Sequence, residues 1–185
     1  VLALLGETTA IGFVVLVLPI VLARRRGAPI PRRTAMASTL YYGSIGLGFM
    51  LIEIALVQAL GLLLGQPVLS FATVFAGLLL GAGLGSLLSR YWRRSVLAPI
   101  VATLWVALLS VALHTLVAPF LGLPLGFRMA IALAFVLPTG LALGSPFPLG
   151  LARTQERTPH LVPWAFAINS LASIAGTVLA LILAS

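Results

Sequence analysis

The 185-residue chain has no cysteine, no lysine and no aspartate. Its only acids are Glu7, Glu53 and Glu156, and its only histidines are His114 and His160. Without cysteine there is no disulfide, no thiol nucleophile and no thiolate metal ligand. Without aspartate, most acid–base pairs and hydrolytic triads lack a member. No histidine or acid stands at ligand spacing from a second one, so neither a metal nor another cofactor is expected. Ser145 has no GxSxG frame and no histidine close in sequence, which argues against a serine nucleophile. Charge itself is scarce. Only 8% of residues are charged, against about 25% in an ordinary soluble domain, so a water-soluble globule is excluded.

What is present is apolar length: 61% of the chain is hydrophobic, with a mean hydropathy of +1.20. A helix needs about 20 apolar residues to cross a bilayer core. Six segments meet that length, at about 2–23, 37–64, 68–89, 96–120, 127–151 and 161–184. The expected fold is therefore all-α, a single polytopic transmembrane bundle with the lipid bilayer as its first partner. All eleven basic residues are arginines, and they fall in short clusters between the spans rather than along one stripe. That distribution disfavours nucleic acid as a partner. Arg24, Arg25, Arg26, Arg32, Arg33, Arg90, Arg93, Arg94, Arg153 and Arg157 occupy alternate loops, and Arg128 stands alone on the other side. The positive-inside rule then puts the arginine loops in the cytoplasm and the N-terminus outside. Tyr91, Trp92 and Trp164 fall at interfacial positions. A start at Val1 rather than Met predicts a piece of a longer chain. The order of the first segment, apolar and then basic, is the reverse of a signal peptide.

Two spans carry packing or breaking signals. Thr73, Gly77, Gly81, Gly85 and Ser89 recur at every fourth position, which places five small residues on one helix face and admits a second backbone. That face suits either an internal helix contact or self-association. Ala172, Gly176 and Ala180 form a shorter version in the last span. Pro138, Pro146 and Pro148 predict a kinked or unwound fifth span. Such a break serves a binding site in some transporters, or it is a proline-rich exit from the membrane.

Among the polar residues, Glu53 stands out, well inside its span between Ile52 and Ile54. An ionisable group at membrane depth is costly and marks a functional position by default. Three roles are open to it: an interhelical hydrogen bond to Asn169, His114 or a backbone carbonyl; an ion pair with an arginine; or binding of a cation or proton. Gln58 lies about 140° around the helix from Glu53. Asn169 shares a face with Ala165, Ser173 and Thr177, and Ser170 follows it.

Five stretches, taken together, resemble the membrane region of bacterial spermidine-synthase-like integral membrane proteins, the fused major-facilitator/spermidine synthase type. They are GLGFMLIEIALVQ from Gly46 to Gln58, Leu64-Gly65-Gln66-Pro67, GLGSLLS from Gly83 to Ser89, GSPFPLGL from Gly144 to Leu151, and PWAFAIN from Pro163 to Asn169. The resemblance covers about Tyr41 to Ala180. It departs at Gln66, where a histidine is common, and at Ala59, where a basic residue often follows the glutamine. GSLLSRYWRR, from Gly85 to Arg94, is also similar to a cytoplasmic loop of major facilitator transporters, without that loop's aspartate. The family's aminopropyltransferase domain has no counterpart here, since no glycine-rich strand–turn–helix fingerprint is present.

The resemblance and the buried carboxylate lead to one expectation. The chain is a non-enzymatic module of the bacterial inner membrane, packed against other membrane helices or an associated domain. Glu53, Gln58 and Asn169 would bind or pass a small amine, such as a polyamine, or another cation. The alternative is a structural subunit of a larger membrane complex.

Overall fold

A computed structural model of the chain describes residues 32–92, 104, 105, 108 and 118–183. These residues are helical, with short connections and no strand among them. The main elements are α1 (Arg32–Leu64), α2 (Pro67–Ser89), α3 (Leu125–Gly144), α4 (Pro146–Arg157) and α5 (Val162–Leu183). Four helical stretches are long and apolar enough to cross a membrane: Arg32–Leu64, Pro67–Ser89, Leu125–Arg157 and Pro159–Ala180. The protein is thus an all-helical, membrane-integral one. The expected span at 2–23, most of that at 96–120, and Glu7, Arg24, Arg25, Arg26, Arg93, Arg94 and His114 lie outside the described residues.

Contacts divide the described chain into two units. The first contains α1 up to Met50 together with Gly150–Leu183, and the second is Leu51–Leu149.

In the second unit, α1 turns sharply into α2. Gly65 takes a left-handed conformation (φ +72°), Gln66 is extended, and Pro67 opens α2 where its missing N–H is not needed. Two side chains fix this corner. Ser70 donates to the carbonyl of Val57 at 2.7 Å, and Arg128 Nη1 donates to that of Leu63 at 3.0 Å. A guanidinium on the last carbonyls of a helix also complements its dipole. Arg128, alone at its end of the sequence-based topology, has a structural task there.

α2 and α3 then run side by side in the same direction, backbone against backbone. Thr73, Gly77, Gly81, Gly85 and Ser89 are all buried on α2. A Cβ added at Gly81 would meet the carbonyl of Leu137, and one at Gly85 the carbonyl of Leu141. The partner face is equally thin, for a Cβ at Gly140 would lie 2.6 Å from the carbonyl of Leu78. The i+4 stripe therefore meets a helix of its own chain.

The fifth span is interrupted once, next to one of its three prolines. Pro138 lies inside α3 without ending it, and the interruption falls at Ser145 instead. Pro146 and Pro148 belong to the first turn of α4, where no intrahelical N–H is lost. Helix α4 then continues to Arg157, beyond the expected limit of the fifth span.

The first unit repeats the parallel arrangement with α1 and α5. Gly43 faces Ile168, Gly46 faces Asn169 and Ser173, and Gly176 faces Leu47 and Met50. Ser173 donates to the carbonyls of Gly46 at 3.3 Å and Asn169 at 2.9 Å. Helix α4 is held to α1 by a 2.6 Å hydrogen bond between the hydroxyls of Tyr42 and Thr154. The Tyr41 ring covers Gly150, leaving no room for a side chain there.

Candidate functional site

Inside the second unit, α1 presents Glu53, Leu56, Leu60 and Leu63 at intervals of three, four and three residues. That period keeps all four on one stripe, and all four are buried. Glu53 is the first of the row, 9% exposed, while Leu56, Leu60 and Leu63 are almost fully covered. Its carboxylate therefore sits on the protein-facing side of the helix, not the lipid-facing side. No hydrogen bond or ion pair joins Glu53 to the other described residues. A buried carboxylate in that state is expensive unless something else compensates it.

The buried polar side chains among the described residues are Glu53, Ser70, Thr73, Ser89, Thr139 and Ser145, and every one belongs to the second unit. Four of these hydroxyls donate to backbone carbonyls, three of them within their own turn of chain. Ser70 bonds Val57, Ser89 bonds Ser86, Ser145 bonds Ala142, and Thr139 bonds Phe135. Thr139 has a second task, accepting the indole N–H of Trp105 at 2.9 Å. Glu53 thus differs from these four in having no partner among the described residues.

The other two candidate residues are placed differently. Gln58 is exposed, as its 140° offset from Glu53 requires, so the two do not share a face. Asn169 belongs to the first unit, where its backbone carbonyl meets Gly46 and its Oδ1 is buried without a donor among the described residues. No group of three His, Cys, Asp or Glu residues gathers to hold a metal among the described residues.

Three polar contacts are not evident in the sequence, although Arg128 itself is: Ser70 to Val57, Arg128 to Leu63, and Trp105 to Thr139. Each had a faint signal. A serine in the first turn after Gln-Pro reaches back to the preceding helix, an arginine beside a helix end seeks carbonyls, and a tryptophan in mid-span needs an acceptor for its N–H. Compared with protein-family models, curated proteins and solved structures, the chain matches none of them.

Proposed function

We propose that the chain is a polytopic module of a bacterial inner membrane, resembling the membrane part of spermidine-synthase-like proteins. In this reading Glu53 binds a small amine or other cation and allows it to be held or passed. The observation that carries the proposal is the buried Glu53 on the inward stripe of α1, with no partner among the described residues. In a low-dielectric interior, an ammonium or metal cation is the natural compensation for such a charge. Gln58 and Asn169, each within its own unit, are secondary candidates.

The six-span topology draws support from helix direction. Because α2 and α3 run parallel, the chain leaving α2 at its C-terminal end enters α3 at the opposite end of the pair. One further crossing between them accounts for this, and the apolar segment at 96–120 is the right length for it. In the first unit, Arg32 and Arg33 open α1, and Arg153 and Arg157 precede the start of the parallel helix α5. Gathering arginines at one end in this way fits a cytoplasmic face and an external N-terminus.

The test uses reconstituted vesicles and spermidine as the probe. Glu53→Gln keeps the shape and removes the charge, so spermidine binding and uptake should both be lost. Unchanged binding and uptake would end the proposal.

A second reading, a structural subunit of a larger assembly, is favoured by one observation: the backbone-level packing of α2 on α3. Mass spectrometry after purification in mild detergent separates the readings. Stoichiometric partner subunits support the structural role, and a lone monomer counts against it.

A further inference from the structure

Helix α4 is the least apolar of the five helices, and its second half reads Ala152-Arg153-Thr154-Gln155-Glu156-Arg157. Its inner side is fixed to α1 by Gly150 beneath Tyr41 and by the bond from Thr154 to Tyr42. With those two contacts made, Arg153 and Arg157 are exposed. They stand one turn apart, a spacing at which like charges repel along a helix.

Further arginines open the neighbouring helix of the unit. Exposed Arg32 and Arg33 occupy the first turn of α1, which has no acid to offset them or the positive end of the helix dipole. Four arginines thus face one acid, Glu156, among the described residues of this unit. The aromatic level is also marked, because the indole N–H of Trp164 points to the Thr39 hydroxyl at 3.4 Å, near exposed Tyr41. Amphipathic aromatics at the edge of an apolar helix pair belong at the depth of lipid headgroups.

We infer that Arg153 and Arg157 on α4, with Arg32 and Arg33 on α1, form a binding surface for anionic phospholipid headgroups. Two exposed guanidiniums one turn apart can share a phosphate, and arginine presents the planar fork that suits phosphate oxygens. The basic end thereby becomes a lipid-selective contact as well as an orientation signal. The inference uses none of the Glu53 chemistry, so either can fail alone.

The experiment places the chain in nanodiscs of phosphatidylcholine, alone or mixed with phosphatidylglycerol. Both leaflets then carry the same lipid, and the result is independent of orientation. Native mass spectrometry should show phosphatidylglycerol retained in preference to phosphatidylcholine, and added salt should erode that preference. Each arginine near an anionic surface contributes about fivefold, so Arg153→Gln with Arg157→Gln should lower the preference about 30-fold. Replacement of both by lysine should keep most of it. If the glutamine variant fails to fold, the salt titration and the lysine variant still decide. Equal retention of the two lipids, a preference insensitive to salt, or one surviving in a folded glutamine variant would overturn the inference. So would inorganic phosphate displacing the lipid at matched concentration, or the preference appearing only with a co-purified acidic protein.

Discussion

The two units are built on one device and put to different uses. Each contains a pair of parallel helices meeting through glycines, α2 with α3 in one and α1 with α5 in the other. In the first unit the glycine contact is supplemented by hydroxyls that bond across it, from Ser173 to Gly46 and from Tyr42 to Thr154. Its charged residues stand exposed at one end. The second unit packs α2 on α3 almost bare, and the polar residues buried as a whole among the described ones, Glu53 included, belong to it. Close backbone contact costs little in lipid because small residues lose little rotamer freedom. What a unit places beside that contact is a separate choice. One unit has spent its polar groups on cross-links, whereas the other holds a carboxylate for which packing has no use.

The sharpest way to break this comparison is to thicken the bare contact. Gly81→Val drives a branched side chain into the carbonyl of Leu137, and overpacking against backbone should cost about 3 kcal/mol or more. Unfolding by denaturing detergent should show the variant strongly destabilised or unfolded. A near-native midpoint would mean that α2 and α3 are not in backbone contact. Thr139→Val comes next. It keeps the volume but strands the part-buried indole N–H of Trp105, at a cost of about 1 kcal/mol. Near-ultraviolet circular dichroism and tryptophan emission should shift together with the midpoint.

In the first unit, Tyr42→Phe removes one cross-link, and the expected loss is about 1 kcal/mol on the same unfolding assay. A loss comparable to that of Gly81→Val would erase the contrast between cross-linked and bare contacts. Gly83→Ala is the smallest change. Gly83 is exposed on α2 with nothing nearby to meet a Cβ, so better helix propensity should stabilise by about 0.5–1 kcal/mol. Destabilisation at Gly83 would show that the glycines of α2 matter on every face, not on the α3 side alone.

Much of this architecture is legible in the sequence. The segments expected at 37–64, 68–89 and 161–184 correspond to α1, α2 and α5 within a few residues, because long apolar runs bounded by Arg, Gln-Pro and Pro leave little freedom. The prolines were less legible. A proline's effect depends on whether it sits in a first turn, as Pro146 and Pro148 do, or within a helix, as Pro138 does. That distinction rests on where Ser145 interrupts the chain, and residue type does not reveal it.

Glu53 shows the same boundary at the candidate site. Composition alone marked it as the acid with no ordinary place, because every other charge lies near a span end or in a loop. That it faces protein rather than lipid follows only from the row it shares with Leu56, Leu60 and Leu63. Gln58, equally prominent in the sequence, turned out exposed, and Asn169 fell in the other unit.

By itself, the sequence determined that this protein is helical and lives in a membrane, since hydropathy and the lack of charge are sums over residues and need no partner. It also determined which helix faces are thin, because periodicity is a local property. Only the tertiary structure decided what those faces meet, that α2 and α3 run parallel, and that Arg128 caps α1. Contacts between distant segments depend on geometry that no single segment encodes.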